Sequence, residues 1–459
     1  MHPDMQNPLT IPAFRTLFLA QVVALVGSGL ATVGLALLAY ELSGENAGFI
    51  LGQILAVKMV AYVLVAPIVG GNAHRFSRKK MLLVLDVTRA LCVIGIIFVD
   101  AVWQVFALVF LLSALSAGFK PVFQATIPEV VTDEDSYTKA LSYSRVAYDL
   151  ESLFSPALAG IALLFMSFDL LFVTNGLAFL ASAILVASTR LPVIEHMNAP
   201  DSVWADTRFG VMAYLKTPRL RGLLCLYLGV AALSAMVVVN TVVIVRGEIQ
   251  LGATAVAIAL AASGAGSMIA ALTVSWILRR ISERTLMALG AILCVPAMFS
   301  LSVTGDFQGL MVAWFVVGMG LSLIQTPTGR VVNRSAAAED RPAYFAAQFT
   351  LSHACWMLFY PLVGYCGIAW GIEATALLVA AVVVVTTAGG LLMWRSNDPA
   401  ELYHTHEPME HEHPHGHDSH HEHQHQEGSG SEHSHEHRHE AVLHKHAFVI
   451  DQHHPHWPV

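Results

Sequence analysis

Charge is scarce in this chain. Lysine, arginine, aspartate and glutamate make up 13% of its 459 residues while 55% are hydrophobic, and mean hydropathy is +0.60. A soluble globular protein carries roughly 25% charged residues, so a deficit over this length names lipid as the main solvent. Cysteine is sparse too: Cys92, Cys225, Cys294, Cys355 and Cys366 lie far apart in apolar stretches, with no CxxC pair. Neither a disulfide framework nor a closed structural zinc site is expected. No P-loop sequence is present, so ATP hydrolysis by that route is not expected, and no feature suggests an enzyme. Lysine and arginine are used up in the loops between apolar runs, leaving no basic patch for nucleic acid. A cleavable leader is not expected either. The first apolar run begins near Leu17, lacks a basic n-region and is too long for an h-region, which makes it the first membrane span.

What is present is a series of apolar runs, each near the roughly 20 residues that cross a bilayer. They fall at about 16–40, 48–72, 81–99, 102–127, 140–166, 168–189, 219–245, 253–278, 286–304, 308–330, 343–370 and 373–394. Segments such as LLFVTNGLAFLASAILVAS have no polar face, unlike surface helices of a soluble protein. Basic residues collect on alternate connections: Arg15, the run from His74 to Lys80, Arg190, Arg208, Lys216, Arg219, Arg221, Arg279, Arg280, Arg284, Arg330, Arg334, Arg341 and Arg395. The opposite connections carry Glu41, Glu45, Asp100, Asp169, Glu248, Asp306 and Glu373, with Arg246 their one basic residue. The positive-inside rule then places both termini in the cytoplasm.

The longest internal connection divides the spans six and six. The expected domains are residues 1–190, a linker at 191–218, residues 219–395, and a tail at 396–459. Trp204, Met212 and Leu215 form a stripe that suits a linker helix on the membrane surface. The halves resemble each other: LFSPALAG, ending at Gly160, matches LFYPLVG, ending at Gly364, and Pro156 matches Pro361. Repeated six-span halves are an architecture of transporters that rock about a midplane site.

The loop from Gly70 to Lys80, GGNAHRFSRKK, is similar to the major facilitator signature G-x-x-x-D-R-x-G-R-[KR]-[KR]. Gly70, Arg75, Arg78, Lys79 and Lys80 match; His74 replaces the aspartate and Ser77 the glycine. SPALAG at 155–160 resembles a relaxed Gly-Pro motif of the fifth span of family antiporters. With its histidine-rich end, the chain resembles the bacterial nickel-resistance efflux proteins of the NreB type. The resemblance implies an all-α membrane protein of the major facilitator fold, with twelve transmembrane helices in two pseudosymmetric halves and alternating access. It also implies a bacterial inner-membrane location and a cytoplasmic latch around His74, Arg75 and Arg78, with Asp86, Arg89 and Arg145 as further coupling or gate residues. His74 is either a pH-sensitive part of that latch or a tolerated polar replacement.

Residues 396–459 hold 19 of the 23 histidines and few aliphatics, so disorder is expected there. The recurring unit is His-x-His. The candidate ligands are His404 and His406; His411, His413, His415 and His417; His420, His421, His423 and His425; His433, His435, His437 and His439; and His444 and His446. Neutral imidazole suits nickel, cobalt, zinc or copper rather than calcium or magnesium. The tail could buffer metal, deliver it to the inner gate or sense it.

Ionisable groups at membrane depth are functional candidates. Lys58 and Lys120 lie within spans two and four, and Arg145, Asp149 and Glu151 cluster in span five. The repeat matches span five to span eleven, where His353 and Met357 share a face and Cys355 points elsewhere. Asp149 or Glu151 opposite His353 could bind a divalent ion, and a carboxylate alternating between metal and proton would couple the two. The same groups could equally be packing ion pairs and a core histidine. Asn240 and Gln325 are further cavity candidates. The expected activity is export of a divalent metal, nickel first and cobalt or zinc next, in exchange for protons. The partners are lipid, metal ions and protons, with no tightly bound cofactor and no nucleic acid, and the chain is expected to act as a monomer. The alternatives are export of an organic compound or metal chelate with a metal-regulated tail, and a membrane-anchored metal store or sensor.

Overall fold

A computed structural model describes residues 7–72, 77–133, 136–137, 139–140, 143–144, 147, 151, 158–191, 203–302, 305–336, 340–396, 402–405, 409–415, 433–439 and 443–446. Its helices are α1 (Pro12–Ser43), α2 (Ala47–Asn72), α3 (Arg78–Gly95), α4 (Val102–Val130), α5 (Asp169–Ser188) and α6 (Val203–Lys216). They continue as α7 (Pro218–Val242), α8 (Ala253–Ile277), α9 (Glu283–Ser300), α10 (Phe307–Gln325), α11 (Thr328–Asn333) and α12 (Arg341–Met393). Within the fifth expected span, 141–142, 145–146, 148–150 and 152–157 lie outside the described residues, while Ser144, Ala147 and Glu151 are helical. Among the described residues, ten helices are long and apolar enough to cross a membrane. Helices are what such sequences must form, because lipid offers backbone amides no partner.

Their ends are finished by local chemistry. Proline occupies the first turn of α1, α7 and α12, where its missing N–H costs nothing. Ser282 accepts a hydrogen bond from the Thr285 amide at 3.3 Å, and Asp306 one from the Gly309 amide at 2.9 Å, capping α9 and α10. Cations satisfy C-terminal carbonyls: Lys79 Nζ donates to Ala187 O and Thr189 O at 2.6 and 2.7 Å, and Arg284 donates to Leu391 O at 2.9 Å and to Trp394 O. In the loop after α4, hydrogen bonds from Ser136 hold the Asp133 carboxyl below its ordinary value.

The last helix holds two spans. At 53 residues it would be about 80 Å long if straight, against a hydrocarbon core of about 30 Å. Gly371, with φ +81° and ψ 166°, breaks it. Gly367 lies beside Asn240, Val383 beside Gly229, and Trp394 beside Gly222. The chain therefore climbs along α7, reverses at Gly371 and returns along the same helix. Only a residue without a side chain adopts that φ at little cost.

The two halves meet most closely where α2 touches α12, at the end of the bundle away from the basic loops. A Cβ at Gly52 would collide with the Tyr360 carbonyl, and one at Gly364 with Gly48. Arg246 lies over the Tyr40 ring, 5.1 Å from its centroid, at the same end. Within the second half, α8 and α10 cross with Gly266 against Phe315 and Gly318 against Ser263, leaving no room for a Cβ. Small residues at such crossings let backbones approach in lipid. The linker helix α6 docks Gly210 on Ala343 and donates from Tyr214 to Gln348 Oε1. Met212 and Leu215 on that helix are exposed, and the Trp204 side chain lies outside the described residues.

The disorder expected of the tail is interrupted by two antiparallel ladders. Leu402–Thr405 pairs with Leu443–His446, and Met409–His415 with His433–His439. The register sets His411 opposite His437, His413 opposite His435, and His415 opposite His433. Strict alternation of histidine with other residues gives both runs a period of two, and the Gly-Ser-Gly between them provides a turn composition.

Replacing Gly318 with valine should lower the thermal midpoint in detergent, by on the order of 1–3 kcal/mol for overpacking. Gly305→Val is the control, since a Cβ there would meet nothing within 4 Å. Equal effects at the two positions would contradict the close crossing.

Candidate functional site

Four helices of the first half each turn one face to a common cavity of about 70 Å³. From α1 come Ser28, Ala31, Thr32 and Leu35, and from α4 Val109, Leu112, Ser113 and Ser116, both at i, i+3, i+4, i+7 spacing. Helix α2 contributes Lys58 and Tyr62, and α5 contributes Phe172, Asn175 and Phe179. The volume holds several waters, at about 10–15 Å³ of such space for each. Ser28 and Thr32 spend their hydroxyl protons on Ala24 O (3.0 Å) and Ser28 O (3.2 Å), so their oxygens can offer only lone pairs. Asn175 is 1% exposed, and its Oδ1 has no hydrogen-bond partner among the described residues. Lys58 Nζ stands 5.9 Å from the Tyr62 ring centroid, and no described carboxylate pairs with it.

From Tyr62 an aromatic chain crosses to the second half. The His353 ring lies 5.7 Å from Tyr62 and nearly perpendicular to it, 3.9 Å from Phe349 and 5.1 Å from Trp356. Trp356 meets Tyr227, whose hydroxyl donates to Thr328 Oγ1 at 3.0 Å. His353 Nδ1 is 2.7 Å from Phe349 O, and a carbonyl can only accept. Nδ1 therefore carries a proton in that contact. Met357 is half-buried one turn away, and Cys355 is buried.

Other expected site residues are placed differently. Asp149, Arg145, His74 and Arg75 lie outside the described residues; Glu151 is helical and half-buried. Arg78 pairs with Glu129 within the first half. Asp86 and Arg89, expected beside the cytoplasmic latch, form a buried ion pair inside that half. Ser182 Oγ donates to Asp86 at 2.7 Å, and the guanidinium stacks 4.1 and 4.4 Å from the Phe119 and Phe179 centroids. The pair thus ties α3 to α4 and α5. Asn240 sits at the junction of the halves, beside Gly48 and Gly367, and Gln325 is half-buried. Among the described residues no three histidine, cysteine or acidic side chains converge as a metal site. The residue that sequence reasoning missed is Asn175. Its signal was a lone amide in the apolar run LLFVTNGLAFL.

A profile of transmembrane secretion effectors, a branch of the major facilitator transporters, matches residues 5–416. The chain belongs to that family. Over 358 residues it is 25% identical to the uncharacterized transporter YfiS of Bacillus subtilis, covering 75% of this chain and 84% of that one. It is 29% identical to multidrug resistance protein MdtG of Salmonella typhimurium and 24% identical to macrolide efflux protein A of Streptococcus pyogenes. Those two matches span only 37% and 45% of the relatives' length, and 33% and 39% of this chain. A bacterial homolog of the lysosomal transporter Spinster, solved in an inward-facing conformation, superposes with TM-score 0.68 at 12% identity, covering 83% of this chain and 96% of that one. The nucleoside transporter NupG superposes with TM-score 0.65 at 15% identity over 83% of this chain and 98% of its own. Both share the fold.

Replacing Arg89 with leucine should cost about 3–5 kcal/mol, because Asp86 would keep a buried charge without its partner. Thermal unfolding in detergent should show Asp86→Leu/Arg89→Leu to be more stable than Arg89→Leu alone. A double variant no better than the single one would refute a paired role.

Proposed function

We infer that this transporter exports a divalent transition metal from the cytoplasm, nickel first and cobalt or zinc next, in exchange for protons. The observation that carries this reading is the tail, where 19 histidines follow the last span in repeated His-x-His units. With the basic loops facing the cytoplasm, the tail would gather metal on the side from which export begins, raising its local concentration at the inner gate. In the same orientation the contact of α2 with α12 closes the outward end, the state that loads from inside. His353 supplies an imidazole between the halves, and Asp149 and Glu151 are the carboxylates proposed to exchange metal for proton.

A second reading, export of an organic compound, is favoured by Lys58. A cation lining the cavity opposes a bare cationic substrate, and two relatives carry names of multidrug and macrolide efflux. The tail would then regulate rather than feed transport.

Inside-out vesicles should take up radioactive nickel when a proton gradient is imposed, and a chain ending at Ser396 should retain part of that flux. No nickel, cobalt or zinc flux under any gradient would reject metal export. Tail binding has its own pH signature. Imidazole must be neutral to ligate and has an ordinary pKa of about 6.5, so nickel retained by the tail should fall steeply below about pH 6. Retention unchanged at pH 5 would rule out imidazole as the ligand.

A further inference from the structure

The tail carries a pattern that its histidine content alone does not require. In the ladder of Met409–His415 with His433–His439 every histidine stands at an odd position, and the antiparallel register pairs odd with odd. His411 is directly opposite His437, His413 opposite His435, and His415 opposite His433. Successive residues of a strand alternate between its faces, so these six histidines share one face as three opposed pairs. The other face carries Glu410 opposite Arg438, Glu412 opposite Glu436 and Pro414 opposite Ser434. A slip of one residue would set His411, His413 and His415 against glutamate, arginine or serine instead.

Ordinary cross-strand chemistry does little to hold this ladder. An isolated two-stranded hairpin is marginal in water at best, and this one has no apolar face. Glu412 opposite Glu436 is a like-charge pair, which opposes pairing. Joining the strands also closes the connection 416–432 against chain entropy. What the shared face offers is imidazole. Cβ atoms of directly opposed residues lie about 4.5–5.5 Å apart, which lets two imidazoles reach one ion between them. Imidazole takes nickel, cobalt, zinc or copper, and donors fixed on separate strands make the binding free energy a folding free energy.

We propose that each opposed histidine pair of this ladder is a two-imidazole site for a divalent transition metal, and that the ion staples the two strands. Metal loading thereby folds the tail into a hairpin. The His-x-His neighbours visible in the sequence are then not the chelating unit, because the two donors come from opposite strands. This rests on the metal-gathering role given to the tail above. It adds which histidines act together and what the metal does to the chain.

The test titrates the full chain in detergent with nickel and counts the ions bound at saturation by equilibrium dialysis. Two double variants each remove one histidine from each strand. His411→Ala/His437→Ala empties one pair and leaves two whole. His411→Ala/His433→Ala breaks two pairs and leaves His415 and His437 at opposite ends of the ladder. The first should lose about one ion per chain and the second about two. Equal losses overturn the pairing and leave the tail as independent imidazoles, with its gathering role intact. A full chain that binds no nickel overturns that role and this inference together.

Closure is read separately, with nitroxide labels on Glu412→Cys and Glu436→Cys in a Cys225→Ser background. These positions oppose each other on the face without histidine, and zinc serves as the probe because it is diamagnetic. Zinc should draw a broad label distance into one short distance, and His411→Ala/His413→Ala/His415→Ala should abolish the change. A short distance already present without zinc, or none with it, overturns the staple.

Discussion

Gly48 and Gly52 on one half meet Gly364 and the Tyr360 carbonyl on the other, backbone against backbone. In lipid there is no hydrophobic drive to bring helices together, so association depends on close van der Waals approach. At these positions a single Cβ would hold the two helices apart. The contacts of Tyr62 with His353 and Phe349 lie farther along the same pair of helices, towards the basic loops, and their spacing follows from that contact. The cavity beside Tyr62 inherits its shape in turn. What looks like a site of side chains is thus set by residues that lack them.

Charge inside the bilayer follows two different rules in the first half. Asp86 and Arg89 neutralise each other, Ser182 donates to the carboxylate, and the Phe119 and Phe179 rings face the guanidinium. Such a pair gives orientation rather than much net stability, since desolvation consumes most of its attraction. Lys58 sits within the same bundle without a comparable partner among the described residues. The contrast separates a charge used to align helices from one left open to a ligand.

Much of the architecture was legible in the sequence. Apolar runs gave the helices to within several residues, and the loop from Gly70 to Lys80 together with the repeat pointed to the major facilitator fold. The helix break at Gly371 was foreshadowed by the gap between the last two apolar runs. The site was much less legible. Ionisable residues announce themselves in an apolar run, so Lys58, Asp86 and Arg89 were visible, but their partners come from other helices. Nothing in the spacing says that Arg89 stacks between two phenylalanines, or that Asn175 and Lys58 line one cavity. The histidine alternation of the tail was plain, and composition predicts disorder for that segment, but the pairing of short stretches within it as strands was not legible. Local pattern gives the element; only the tertiary arrangement gives its neighbour.

The reversal at Gly371 bears on how the molecule is made. With a single residue between the last two membrane crossings, neither can be threaded into the bilayer and left to wait for the other. The two must enter the translocon as one helical hairpin. The final crossing is thereby committed by the one before it, and its own flanking charges have little say in its direction. That corner also offers proteases and antibodies almost no loop to grasp.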